Sequence, residues 1–265
     1  MYQIHPIAAF SDNYIWCLYD PESSAALIVD PGDAAPVVAF LQQQGLTLEA
    51  ILLTHHHPDH SNGIRTLQSL GEVPVFGPDR SPYRGVTHPL EEGDQVQWRD
   101  FSFQVLNVPG HTLDHIAFYS TEQATDAPLL FSGDALFISG CGRLFEGQPA
   151  QMRQSLEKFL SLADDTLVCC GHEYTLANLA FARAVLPQDS KLEAFQQHCQ
   201  QLRDQGHPTV PGILGQEKQL NPFLRWQEPD VMTAADNYAQ QAGLPPCQGQ
   251  PDQVFAAIRH WKDHF

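Results

Sequence analysis

Residues 54–60, Thr54 to His60, follow directly on the apolar run Ala50 to Leu53, and this junction restricts the fold more than any other stretch. An apolar run of strand length that ends in the spacing His-x-His-x-Asp-His reads as a buried strand delivering metal donors at its end. His55 and His57 are two residues apart, so on an extended chain they face the same side. Pro58 fixes φ and bends the backbone, which lets Asp59 and His60 aim at a second point. Histidine-rich tags and linkers carry similar tracts, but those do not follow a buried strand. Here Ser61, Asn62 and Gly63 form a turn that opens a helical pattern of Ile64, Leu67 and Leu70.

Three later apolar runs end in the same manner. Phe101 to Val108 runs into Gly110 and His111, Leu129 to Ser132 into Gly133 and Asp134, and Thr166 to Cys170 into Gly171 and His172. Glycine lets the backbone turn sharply, so that the next side chain enters a shared crevice. The donors His55, His57, Asp59, His60, His111, Asp134 and His172 are too many for one tetrahedral ion. Two divalent ions resolve the count. One takes His55, His57 and His111, the other Asp59, His60 and His172, and Asp134 bridges the ~3.5–4 Å that separates ions in such pairs. Imidazole and carboxylate donors without thiolate suit zinc first and also admit iron or manganese. His56 points away from its neighbours on an extended chain, and His115 is expected to orient a ligand rather than to be one.

The rest of the chain supplies the scaffold. Tyr14 to Tyr19 and Ala25 to Val29 read as antiparallel strands, and Pro36 to Gln44 as a helix closed by Gly45. A short strand is expected at Val73 to Phe76, further strands at Gln95 to Trp98 and Ile116 to Tyr119, and a packing helix at Pro149 to Leu162. After His172 the strand patterns stop. Helical spacing follows at 176–185, 191–205, 230–241 and 253–262, with His207 to Gly215 expected as a loop. The boundary is therefore placed between a catalytic domain, residues 1–174, and a helical domain, residues 175–265, that binds substrate and leaves metal binding to the first.

A formal charge of −17 over 265 residues argues against nucleic-acid and anionic-membrane partners, which need clustered Lys and Arg to displace counterions. The six cysteines show no C-x-x-C spacing, so they are expected as free thiols in a reducing compartment, Cys141 among them as a structural thiol. No run reaches transmembrane length, and the first ten residues lack the shape of a signal peptide. A cytoplasmic protein is expected.

The seven donors, with Asp12-Asn13-Tyr14, Asp30 to Asp33, Gly140 to Arg143 and Gly171 to Thr175, resemble the metallo-β-lactamase fold superfamily and, within it, the glyoxalase II (hydroxyacylglutathione hydrolase) family. The resemblance covers nearly the whole chain. It implies an α/β fold, a four-layer αββα sandwich followed by a small all-α C-terminal domain. It also implies an enzyme, a monomer in this reading, that cleaves S-D-lactoylglutathione to D-lactate and glutathione by attack of a metal-bridging hydroxide. Asp59 and Asp134 are the implied catalytic carboxylates, and Arg143, Tyr174, Arg259 and Lys262 the implied glutathione contacts. Arg259 and Lys262 lie three apart, on one helix face. A binuclear lactonase or another hydrolase of the same fold is the alternative. Asp114 stands where the family usually has glycine, and is one of the few residues able to replace it at positive φ. Phe145 stands where some members carry tyrosine.

Overall fold

The computed structural model describes residues 2–121, 125 and 127–265, which fall into two compact units. The first comprises Met1–Asn107, Asp114–Gly133 and Thr166–His172. Its first sheet is built from β1 (Gln3–Ala9), β2 (Asn13–Asp20), β3 (Ala25–Val29), helix α1 (Ala34–Gln44), β4 (Thr47–Leu52), the short helices α2 (Pro58–Ser61) and α3 (Ile64–Gln68), β5 (Val75–Pro78) and β6 (His88–Leu90). The strands lie in sequence order. Pairing is antiparallel through β3 and parallel from β3 onward. The change of sense follows from α1, because parallel neighbours need a crossover. Asp33 caps α1 by accepting from the Ala35 amide, and Gly45 ends it at φ 66°.

β2 and β3 are buried on both faces, apart from the last residue of β2. One face packs Ile15, Cys17, Ala26 and Ile28 into a core with Val37 and Leu41 of α1 and Ile64 and Leu67 of α3. The other face presents Trp16, Leu18, Leu27 and Val29, all at most 2 % exposed. A second sheet covers that face. Its strands are β7 (Gln95–Trp98), β8 (Phe101–Asn107), β9 (Ile116–Ser120), β10 (Leu129–Gly133) and, beyond β11 (Leu136–Phe137), β12 (Gly140–Cys141) and α4 (Pro149–Leu160) of the other unit, β13 (Leu167–Cys170). Trp16 Nε1 donates to the Cys170 carbonyl of β13 at 2.9 Å, a direct bond between the two sheets.

The second unit comprises Val108–Leu113, Asp134–Asp165 and Glu173–Phe265. Its later part holds α5 (Thr175–Val185), α6 (Ser190–Asp204), β14 (Gly212–Ile213), α7 (Leu214–Leu220), α8 (Pro229–Gln241) and α9 (Pro251–Asp263). Four of these five helices coincide with the helical spacings of the sequence. The elements not expected are β1, β6, β11, β12, β14 and α7, and β14 with the first residues of α7 lies in the stretch 207–215 expected as a loop. β1 contains Pro6 and alternates exposed with buried residues, which an edge strand tolerates. α7 is short, polar and interrupted by Gly215, so it carries almost no apolar period to detect.

Candidate metal centre

Past β4 the chain leaves the sheet at Leu53 and Thr54, and Pro58 opens α2, so Asp59 and His60 sit on one helical turn. The loop after β3 runs directly against that turn. A Cβ on Gly32 would fall 1.7 Å from the Asp59 carbonyl oxygen, so only glycine fits there. Asp30 begins the loop at φ 54°, a left-handed conformation that Asp tolerates better than most. Its buried carboxylate accepts from the Thr54 amide at 2.7 Å, the Thr54 hydroxyl at 2.6 Å and His60 Nδ1 at 3.0 Å.

These bonds decide which nitrogen each ring offers. A carboxylate only accepts, so His60 carries its proton on Nδ1 and presents a lone pair at Nε2. Thr54 spends its hydroxyl proton on Asp30 and therefore accepts from His55 Nδ1 at 3.0 Å, so His55 likewise presents its lone pair at Nε2. His172 Nδ1 donates to Asp12 at 2.8 Å. In the second unit, His111 Nδ1 donates to the Arg143 carbonyl at 2.8 Å. Four histidines thus share one tautomer, the arrangement in which an outer acceptor orients a metal-binding imidazole.

Within the first unit, His60 Nε2 lies 3.4 Å from His172 Nε2, and Asp59 Oδ2 lies 3.5 and 3.4 Å from these two nitrogens. Donors bound tetrahedrally at about 2.05 Å to one ion stand about 3.3 Å apart, so the triangle has the size of a ligand set. Three lone pairs facing one another at that spacing repel unless a cation lies among them. Asn13 Nδ2 donates to Asp59 Oδ2 at 3.0 Å and holds the carboxylate in place. His57 offers a ring nitrogen within 4.8 Å of one on His55. His115 stacks on His55 with ring centroids 4.6 Å apart, an orienting contact. The structure therefore brings together His55, His57, Asp59, His60 and His172 in the first unit. In the second unit it places His111 Nε2 3.4 Å from Asp134 Oδ2. Gly133, at φ 50°, gives Asp134 its direction, and a Cβ there would meet Thr54 Oγ1 at 2.5 Å.

Among the expected substrate contacts, Arg143 and Arg259 converge on one carboxylate. Arg259 Nη2 donates to Asp263 at 2.9 Å, and Arg143 Nε lies 3.6 Å from the same residue. Arg259 is buried, donates to the Cys141 carbonyl and covers the Phe223 ring, whereas Arg143 is largely exposed. Lys262 turns toward α5, donating to the Ala177 carbonyl at 3.0 Å and lying over Phe181. Burial and the neighbouring Arg259 charge lower its pKa to about 8. Tyr174 is partly exposed and meets Phe137 edge-on.

Asp114 is not in a left-handed conformation among the described residues, so the backbone makes no demand for glycine there. Its buried side chain pairs with His56 at 2.8 Å. Phe145 is exposed and stands edge-on to His111. Burial pushes the Cys141 thiol up to about 11, too high for a nucleophile near neutral pH. Reading the chain as a sequence missed the orienting roles of Asp12, Asn13, Asp30 and Thr54. Each stands at or near the end of a buried strand, as many polar residues do, so no local signal singled it out.

Residues 16–172 match the metallo-beta-lactamase superfamily model, and residues 173–265 match the model of the hydroxyacylglutathione hydrolase C-terminus. A hydroxyacylglutathione hydrolase of Hahella chejuensis is 49 % identical over 100 % of both chains. Among solved structures, the BLEG-1 B3 metallo-β-lactamase is 25 % identical with a TM-score of 0.60, covering 84 % of this chain and 99 % of its own. TTHA1623 in a di-iron-bound form is 32 % identical with a TM-score of 0.53, covering 63 % of this chain and 91 % of its own. The architecture is therefore the metallo-β-lactamase fold with a helical C-terminal domain, and its His/Asp groups are those of a divalent-metal site. With residues 16–172 and 173–265 matched by these two models and a full-length relative near half identity, the chain belongs to the hydroxyacylglutathione hydrolase family.

Proposed function

We propose that this member of the family hydrolyses S-D-lactoylglutathione and related S-2-hydroxyacylglutathiones to the hydroxy acid and glutathione. The observation that carries the reading is the triangle of Asp59, His60 and His172, sized for one ion and fixed by carboxylates behind both rings. His55, His57 and His111 would hold one ion, Asp59, His60 and His172 the other, with Asp134 shared. Zinc is the first choice, and iron or manganese suits the same donors. When bound, such a pair supplies Lewis acidity that brings the pKa of water to ~7.

Each residue has a task. Asp59, steadied by Asn13, accepts a hydrogen bond from the attacking water and so orients it toward the thioester carbonyl. Asp30, Asp12 and Thr54 keep the imidazole lone pairs aimed inward. The departing thiol has a pKa of ~8.5, so it leaves as thiolate without a dedicated acid. Glutathione brings carboxylates to a protein of charge −17, which only a local basic patch can hold. Arg143, Tyr174, Arg259 and Lys262 of the second unit are the residues assigned to that patch. We assign residues 1–174 to the catalytic domain and 175–265 to the helical substrate-binding domain. We place the protein in the cytoplasm as a monomer; no described helix is long and apolar enough to cross a membrane.

The test is hydrolysis of S-D-lactoylglutathione beside a homoserine lactone, with metal analysis of the same sample. Thioester cleavage should be lost on chelation, return with added metal and exceed lactone cleavage. Faster lactone opening would replace this reading by a lactonase. Lys262 adds a pH signature. Its folded pKa of about 8 lies below the ordinary lysine value, so its charge is present below pH 8 and is lost above it. KM should therefore rise as pH passes from 7 to 9, by up to about tenfold if one charge-assisted hydrogen bond disappears. Lys262→Arg should flatten that rise, since a guanidinium stays charged. An equal rise in the arginine variant would remove Lys262 from the substrate patch.

A further inference from the structure

Glu217 is a carboxylate with no role in the chemistry above, yet it is completely buried in α7. Its Oε2 accepts from the Ser139 amide at 2.6 Å and from Asn221 Nδ2 at 3.0 Å. Asn221, at the end of α7, also donates to the carbonyls of Phe137 at 3.3 Å and Gly140 at 3.0 Å. Asn178 of α5 donates to the Ile138 carbonyl at 3.1 Å. All these partners lie in one short hairpin, in which β11 pairs with β12 and Ser139 turns the chain at φ 57°. A buried turn has backbone groups that its own two strands cannot satisfy. Here the helices after residue 174 satisfy them.

The flanks of that hairpin are Asp134 and Arg143. Gly142 lies so close to Asp134 that a Cβ would stand 2.0 Å from the Asp134 carbonyl oxygen. The next carbonyl, that of Arg143, accepts the Nδ1 proton that sets the His111 ring. The hairpin therefore ends at the backbone of one metal donor and at the orienting acceptor of another. Its tip is held by three side chains from α5, α7 and the end of α7.

We propose that the Glu217–Asn221 clasp is a positioning device for the metal centre, fixing through the hairpin 136–141 the placement of Asp134 and of the His111 ring. The proposal rests on the reading of Asp134 and His111 as ligands. It gives the helical segment a part in metal binding, beyond the substrate role expected from sequence. Glu217 touches no ligand and acts only through the hairpin. Burial raises its carboxyl to about 7, so at pH 6 glutamine is a close neutral substitute that still accepts from Ser139.

The experiment measures zinc affinity of the full chain at pH 6 by competition with a chromophoric chelator, together with the melting temperature of the metal-free protein. Glu217→Gln should bind zinc within about twofold of the parent. Glu217→Leu, which leaves the Ser139 amide without an acceptor, and Asn221→Ala should weaken zinc by about tenfold, the lower end for loss of an outer orienting group. Should Glu217→Leu fail to fold, Asn221→Ala decides alone, since it leaves the Glu217 to Ser139 bond in place. Lower melting temperatures with parent zinc affinity in the folded clasp variants would overturn the proposal and leave the clasp a purely structural contact. Asp134→Ala is the control. If it also keeps parent affinity and stoichiometry, the ligand reading itself fails; if it loses zinc while the clasp variants keep it, only the clasp proposal falls.

Discussion

Asp134→Ala is expected to bind less than two metal ions per chain and to turn over the thioester at least about a thousandfold more slowly, a barrier increase of about 4 kcal/mol. Asp134 is the one donor assigned to both ions, so its loss affects both coordination spheres together. The residue is also placed with little freedom. It follows Gly133 at the end of β10, its carbonyl is crowded by Gly142, and its Oδ2 stands 3.4 Å from His111 Nε2. Alanine keeps the backbone conformation available and adds no bulk, so a folded variant isolates the carboxylate. Asp134→Asn, similar in shape and lacking the charge, should recover folding stability but little turnover. Metal analysis and steady-state kinetics on the same preparations decide the matter. Two ions per chain and a normal rate in the alanine variant would refute the bridging role.

The second large effect is expected at Asp30, which touches no metal in this reading. Asp30→Ala leaves the Thr54 amide, the Thr54 hydroxyl and His60 Nδ1 without their buried acceptor, each at about 1–3 kcal/mol. It also places alanine at φ 54°, which costs a further ~1 kcal/mol. Neighbouring terms do not add fully, so a loss of about 4 kcal/mol is expected in the metal-free protein. Zinc affinity should fall by about 10- to 100-fold, because His60 and, through Thr54, His55 lose their fixed tautomers. Asp30→Asn separates the two effects. It tolerates the left-handed backbone and keeps one acceptor oxygen, yet sets an amide donor either against the Thr54 amide or against both the Thr54 hydroxyl and the His60 proton. Urea unfolding and chelator competition measure both quantities. A loss below 1 kcal/mol with unchanged zinc affinity in Asp30→Ala would dismiss Asp30 as the organiser of these ligands.

Much of the proposed donor set can be read from sequence because its pattern follows short-range rules. A strand that ends in Gly-His, Gly-Asp or His-x-His needs no partner to reveal itself: strand length, apolar content and the turn residue all lie within ten positions. Helices α5, α6, α8 and α9 were legible for a similar reason, since each carries an apolar stripe of several turns. What aims those ligands is long-range. His172 is oriented by Asp12, 160 positions away, and His60 by Asp30, 30 positions away. Neither carboxylate differs locally from any other aspartate beside a turn. The pairing of Asp114 with His56 spans 58 positions and likewise leaves no local trace. α7 escaped notice because seven mostly polar residues give no period, and with it went Glu217 and Asn221. Which donors the chain possesses was thus written in local pattern. Their tautomers, the carboxylates behind them and the clasp on the hairpin came into being only when distant segments packed together, because a hydrogen bond is set by proximity in space and two strands far apart in sequence carry no record of it.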